Sequence, residues 1–296
     1  MTVVRILGIG VATMDIYVDR KKMYPGGNEY NVACNARQLG AEAGFLGVFG
    51  NDAAGRILED TLKDQKVDVS RCHHETGSSG YSLVRLLENG DREFLEWNQQ
   101  GVTDLYPIGF DEEEIKYCRS FDVASLGRCA SVSYEKICQL AEAGIPICYD
   151  FHAIFGEKEL QRYAPRTTYA FFSCSHLTDQ EIRMTLQRAV DLGCKIAIGT
   201  RGVDPVIAYD GHQFYEQETC RVKATDALGA GDSYIGAFLT FYLGFMKEGT
   251  LSQEEMIQRS LKQAVEHSAT VVVKEGSIGV GYDVDPNKLD EVINMR

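Results

Sequence analysis

Residues 226–232 read Asp-Ala-Leu-Gly-Ala-Gly-Asp, and Ser233 follows. Beyond them Ile235, Phe238, Leu239, Tyr242, Leu243 and Met246 recur at the three-and-four spacing that predicts a helix face. Gly229, Ala230 and Gly231 therefore fall where a loop turns into that helix. Small residues there let a ligand approach the backbone closely, and the unpaired N–H groups of a helix's first turn favour an anion. The stretch is a candidate phosphate site. Asp232 stands at the same end, and its carboxylate has two readings. It can accept the proton of an attacking hydroxyl in phosphoryl transfer, or it can simply complement the helix N-terminus.

The elements that must carry this site are legible as alternation. Short apolar runs occupy residues 3–10, 45–50, 122–126, 146–151, 169–175 and 195–200. Between them, 52–65 places Ala54, Ile57, Leu58 and Leu62 at helical spacing, and 29–40 does so with Val32, Ala33, Ala36 and Leu39. Strand–helix alternation predicts an α/β fold, a mostly parallel sheet with helices on both faces. Residues 80–97 break the pattern with two β-type runs joined at Asn89-Gly90, a strong hairpin signal. Neither face of that hairpin is cleanly apolar, which suits an edge flap. A second hairpin, 206–216 around Asp210-Gly211, reads as ordinary sheet. Residues 1–296 are expected to form a single domain, with a short β lid from about 14–26 and 80–98.

Bulk composition narrows the partners. Thirty basic against 43 acidic residues give a net charge of −13, which disfavours nucleic acid while leaving room for a small anion at a local positive site. Nine cysteines form no C-x-x-C pair, so no zinc site is readable, and their odd number suits a reducing cytoplasm. The first residues, Met-Thr-Val-Val-Arg-Ile-Leu-Gly, look like a strand rather than a signal peptide. No run reaches the roughly 18 apolar residues of a membrane span. A soluble, cytoplasmic protein is expected.

The stretch Asp226-x-x-Gly229-Ala230-Gly231-Asp232 resembles the C-terminal signature of the ribokinase-like carbohydrate kinases, the phosphofructokinase-B family. Gly26-Gly27-Asn28-Glu29-Tyr30-Asn31 is similar to the family's Gly-Gly-x-x-x-Asn element, and Gly47 to Gly55 to its Gly-x-x-Gly-x-Asp-x-x-Gly element. With Asp15 at a strand end and the Thr200-Arg201-Gly202 turn, the resemblance covers essentially the whole chain. It implies a ribokinase-like three-layer fold and transfer of the ATP γ-phosphate to a sugar hydroxyl. Gly229, Ala230 and Gly231 would then form the anion hole, with Asp232 as base. Asp15, Gly26, Gly27 and Asn31 would hold the sugar, with Arg92 of the flap beside them. Thr200, Gly202, Asp226, Gly229 and His267 would lie on the nucleotide side. The implied cofactors are ATP and Mg²⁺, and a monovalent cation such as K⁺ is a further candidate.

Two departures from the family pattern bear on the acceptor. The usual Asn-x-x-Glu element is replaced by Ser173-Cys174-Ser175-His176-Leu177-Thr178-Asp179-Gln180-Glu181, so Glu181 or Asp179 becomes the metal-side candidate. Only ten residues separate Asp15 from Gly26, which suggests a smaller lid built largely from 80–97, open on one side. These features, with Asp15-Ile16-Tyr17 and Tyr149-Asp150-Phe151, are most similar to the fructoselysine 6-kinase branch, whose acceptor is the 6-hydroxyl of a fructosyl amino acid. Alternatives are a kinase for a plain sugar of the fructose, ribose or 2-keto-3-deoxygluconate type, and a non-catalytic carbohydrate sensor on the same fold. The lone Gly8-Ile9-Gly10 lacks a third glycine and is weak support for a dinucleotide site. An edge hairpin at 80–97 would also allow a homodimer.

Overall fold

The computed structural model describes residues 3–87, 92–98 and 101–284. Its first strands are β1 (Arg5–Ile9), β2 (Thr13–Tyr17), β3 (Lys22–Gly26), β4 (Glu42–Leu46) and β5 (Val48–Gly50). Then come β6 (His73–Glu75), β7 (Gly80–Leu86), β8 (Arg92–Trp97), β9 (Val123–Gly127) and β10 (Ile147–Asp150). The last are β11 (Tyr169–Ser173), β12 (Ile196–Arg201), β13 (Asp204–Tyr209), β14 (Phe214–Gln217) and β15 (Tyr282–Asp283).

The main sheet has the order β14-β13-β12-β11-β10-β9-β1-β4. From β4 to β12 every pairing is parallel, and β13 and β14 extend it antiparallel, as the hairpin around Asp210-Gly211 predicts. Its strands are apolar on both sides because both faces are covered. Successive residues alternate between two cores: Ile6, Phe171 and Ile198 pack on one face, Leu7, Phe172 and Ala197 on the other. The first core takes in the Asn28–Gln38, Ala230–Glu248 and Gln253–Val271 helices, and the second the Tyr134–Glu142 and Asp179–Asp191 helices. In the Ala230–Glu248 helix Ile235, Phe238, Leu239, Tyr242 and Leu243 are buried as the periodicity predicts. Met246, in the last turn, is 47% exposed because the core ends before it.

Strand β1 has β4 on one side and β9 on the other, so the chain reverses its direction of travel across the sheet there. A crevice opens beyond the C-terminal ends of strands at such a reversal.

A second sheet, β15-β3-β2-β7-β8, stands over that end. It is broader than the sequence suggests. Residues 18–21 suffice as a turn, so β2 and β3 pair along their whole length, from Thr13↔Gly26 to Tyr17↔Lys22. Strand β7 joins β2 in parallel, and β15, which the sequence does not announce, pairs with β3. The 80–97 hairpin is β7 and β8, with Ser82 opposite Trp97. Its Asn89-Gly90 turn lies outside the described residues. So does the side chain of Arg92, whose backbone opens β8 opposite Leu86.

No described helix is long and apolar enough to cross a membrane. All nine cysteines are free thiols.

Candidate active site

A cavity of about 730 Å³ lies between the two sheets. Asp15, Gly27, Asn31, Gly229, Gly231 and Asp232 all line it, although they come from three separate stretches of chain. Gly26, at the end of β3, abuts the wall: a Cβ there would stand 2.6 Å from Asp15 Oδ2.

The floor is the start of the Ala230–Glu248 helix. Gly229 is its N-cap in the left-handed region, φ 73° and ψ 8°, and a Cβ there would meet Ser277 Cβ at 2.2 Å. Only glycine fits both demands. Of the three amides expected to hold a phosphate, that of Ala230 donates to Ala227 O at 3.2 Å. The N–H groups of Gly229, Gly231 and Asp232 have no acceptor among the described residues. Around Gly231 nothing lies within 4 Å of where a Cβ would be, so the approach is open. Such a helix end accepts an anion through its amides and dipole.

Asp232 is the third residue of the helix, buried, and held by two amides. Asn28 Nδ2 donates to its Oδ1 at 3.1 Å and Asn31 Nδ2 to its Oδ2 at 2.8 Å. Asn31 is oriented in turn by the Ser277 hydroxyl, which donates to its Oδ1 at 2.6 Å. Burial pushes the Asp232 carboxyl up to about 6; the Asn31 and Asn28 donors and His152 pull it down, and Asp150 adds to the rise. It is thus ionised at neutral pH yet close to the value that suits a general base. Asn28 and Ser277 were not singled out by sequence. Asn28 sits inside the Gly-Gly-x-x-x-Asn element, whereas Ser277 carries no local signal.

Two further ionisable groups went unassigned in the sequence. Glu29, in the first turn of the Asn28–Gln38 helix, is fully buried beneath the crevice, its Oε2 accepting from Val11 N at 3.3 Å. It fits because β1 and β9 are followed or ended by glycine: a Cβ on Gly10 would sit 2.1 Å from Glu29 Oε2. Burial pushes its carboxyl up to about 8. His152 lines the cavity with φ 54°, a strained conformation for a non-glycine residue. Its backbone N donates to Asp150 Oδ1 at 2.8 Å, and its ring Nδ1 is 3.4 Å from Asp150 Oδ2. Its Nε2 is buried with no partner among the described residues. Burial works against a charged ring, but Cys129, Asp150 and Asp232 outweigh it and push His152 up to about 10.

The remaining candidates lie away from the cavity. Asp226 is buried below the loop, where it accepts from Tyr17 Oη at 2.7 Å, Gly276 N at 2.9 Å and Leu228 N at 2.9 Å. Its carboxylate therefore shapes the 226–229 turn from within. Thr200 ends β12, its hydroxyl donating to Phe172 O at 3.3 Å, and Gly202 forms the next turn with φ 66°. His267 is hydrogen-bonded to Asn35 Oδ1 at 2.8 Å, and burial lowers its ring below the usual histidine range. Glu181, the metal-side candidate, is not among the residues lining the cavity. Its carboxylate closes a capping box, accepting from Thr178 N and Oγ1 at 2.8 and 2.7 Å, and Asp179 pairs with Arg201 at 2.8 Å. Thr178-x-x-Glu181 was readable as that motif. Among the described residues no group of three or more His, Cys, Asp and Glu side chains could hold a metal.

Comparison with known proteins supplies the family and the fold. The sequence pattern of the pfkB family carbohydrate kinases matches residues 6–282. The chain is 31% identical over 289 residues to fructosamine kinase FrlD of Bacillus subtilis, covering 97% of this chain and 96% of that one. It is 30% identical over 233 residues to fructoselysine 6-kinase of Escherichia coli, covering 78% and 86%. The crystal structure of fructokinase with bound ATP from Xylella fastidiosa superposes with a TM-score of 0.74 at 19% identity, covering 93% and 94%, so the fold is ribokinase-like.

Proposed function

The chain belongs to the pfkB family of carbohydrate kinases and is an ATP-dependent kinase of a sugar hydroxyl, and from that premise we propose that its acceptor is the 6-hydroxyl of a fructosyl amino acid. The observation that carries the chemistry is the pairing of Asp232 with the open amides of its own helix end. Support for the acceptor class is the similarity to a fructosamine kinase and a fructoselysine 6-kinase.

In the proposed reaction Asp15, Gly27 and Asn31 hold the sugar beneath the second sheet, which acts as the lid. The γ-phosphate of Mg·ATP rests on the Gly229, Gly231 and Asp232 amides. Asp232 takes the proton of the attacking hydroxyl, which then bonds to phosphorus as the bond to the ADP oxygen breaks. The helix N-terminus offsets the charge that develops on the transferring group. His152, beside Asp150 and Asp232, supplies a positive group at the same wall. Thr200, Gly202 and His267 mark the side from which the adenosine lies. The nine free thiols fit a cytoplasmic setting. The edge of the second sheet at β8, where Leu95 is exposed, is where a second copy would pair; one monomeric mass by light scattering at micromolar concentration removes that pairing.

The test is ADP release from Mg·ATP against fructoselysine, other fructosyl amino acids, fructose, ribose and keto-deoxygluconate, beside Asp232→Asn. Turnover confined to fructosyl amines and reduced about 10²–10⁴-fold in the variant is expected. Strong turnover of a plain sugar alone would refute the acceptor, and a variant retaining more than about a tenth of the activity would refute the base.

A further inference from the structure

A second cavity, of about 440 Å³, shares Arg128 with the active-site cavity. Its walls carry Arg128, Lys158 and Arg162, the carboxylate of Glu159, and the rings of Tyr149 and Tyr163. Three cations share that wall with a single carboxylate, Glu159, in a chain of net charge −13, which needs an explanation. Glu157, on the same helix, is taken by Arg188 at 2.6 Å. Arg128 Nη1 donates to Ile154 O at 3.0 Å, which fixes the guanidinium while leaving other donors of its fork unused by that bond. Its backbone is pinned as well, with N donating to Asp150 O at 3.1 Å. Arg162 lies 4.6 Å over the Tyr134 ring and 5.5 Å over that of Tyr163, and Tyr163 stacks on Tyr149 at 4.9 Å.

We infer that this second cavity receives the α-amino-acid end of the acceptor. The carboxylate sits among Arg128, Lys158 and Arg162, the ammonium faces Glu159, and the methylenes lie along the two tyrosine rings. This rests on the fructosyl amino acid reading above and names how the chain selects that class. A planar, pre-fixed guanidinium suits a carboxylate, and an aromatic wall suits an alkyl chain. The reacting hydroxyl and the amino-acid tail occupy opposite ends of such a substrate. One cavity with the base and another adjoining it at Arg128 therefore match its two ends. Plain fructose fills only the first.

The experiment compares three acceptors with Mg·ATP: fructoselysine, 1-deoxy-1-pentylamino-fructose, which keeps the alkyl chain but lacks both charges, and fructose. Each is assayed with the wild type and with Lys158→Gln/Arg162→Gln, with Arg128→Gln as a second variant and thermal melts to confirm folding. Wild-type kcat/KM is expected to favour fructoselysine over the pentylamine by about tenfold or more, as desolvated charge-assisted bonds do. The double variant should lose most of that preference through KM, with the pentylamine rate unchanged. A preference of equal size in wild type and both variants, or none in the wild type, overturns the inference while leaving the acceptor reading intact. Turnover of fructose with neither fructosyl amine accepted overturns the acceptor reading, and the inference falls with it.

Discussion

Lowering the pH tests the base through a quantity the geometry supplies. The Asp232 carboxyl is pushed to about 6 by burial, against an ordinary value of 3.8. With that value about nine tenths of the enzyme carries the ionised base at pH 7 and about one tenth at pH 5, so kcat/KM should fall roughly tenfold. An unshifted carboxyl would still be more than about nine tenths ionised at pH 5, and its profile would be nearly flat. Initial rates at subsaturating sugar and saturating Mg·ATP, read from pH 5 to 8, separate the two cases, since kcat/KM reports the free enzyme. Asn31→Ala makes the argument sharper. It removes the 2.8 Å donor that favours the charged form, so the acid limb should move up by about one pH unit in addition to any loss of sugar affinity. A limb that stays in place in Asn31→Ala, or a level profile in the wild type, would show that burial and the two amides do not tune this carboxyl.

Four other outcomes follow from the same structure. Gly229→Ala should cost about 1–3 kcal/mol in a denaturant titration, because φ 73° and the Ser277 Cβ at 2.2 Å both oppose a side chain. Gly231→Ala, with open space around it, should melt like the wild type yet raise KM for ATP; a matched fall in stability would contradict that contrast. Glu29 has a folded value of about 8 against an ordinary 4.5, so its contribution to stability is complete below about 4.5 and is lost as pH rises through 8. That loss reaches on the order of 3 kcal/mol at pH 7, and Glu29→Gln should match the wild-type melting temperature near pH 4.5 and exceed it at pH 8. Parallel melting curves across that range would refute it. Trp97, the single tryptophan, lines the cavity from β8 and is 57% exposed, so sugar binding should shift its emission to shorter wavelength.

Much of the scaffold was written in local sequence. Five of the six apolar runs became main-sheet strands, the 45–50 run was divided between the end of β4 and the short β5 that pairs with β6, and the 226–232 stretch became a helix N-terminus because glycine and small residues leave few alternatives there. Strands β2, β3 and β15 were harder to see. Asp19, Arg20, Lys21 and Lys22 interrupt the first two with charge, and β15 has only two residues, so pairing across the fold decides them. The capping box that Glu181 closes was legible in its Thr178-x-x-Glu181 spacing. Glu29 and His152 were passed over. What makes each unusual is its surroundings, with glycines at two strand ends admitting Glu29 and an αL backbone turning His152 into the cavity. Neither arrangement has a period or a motif.

Asp226 ties three things together that the reaction needs at once. Through Tyr17 it grips the second sheet, through Leu228 the phosphate loop, and through Gly276 the segment whose Ser277 orients Asn31. A sugar bound against the second sheet would therefore be coupled, through this one carboxylate, to the loop beneath it. Ordering that loop in advance lowers the entropy left for the second ligand to lose, so the two substrates should bind synergistically. Thermodynamic reciprocity makes the effect mutual: whatever factor the sugar lends to ATP affinity, ATP returns to the sugar.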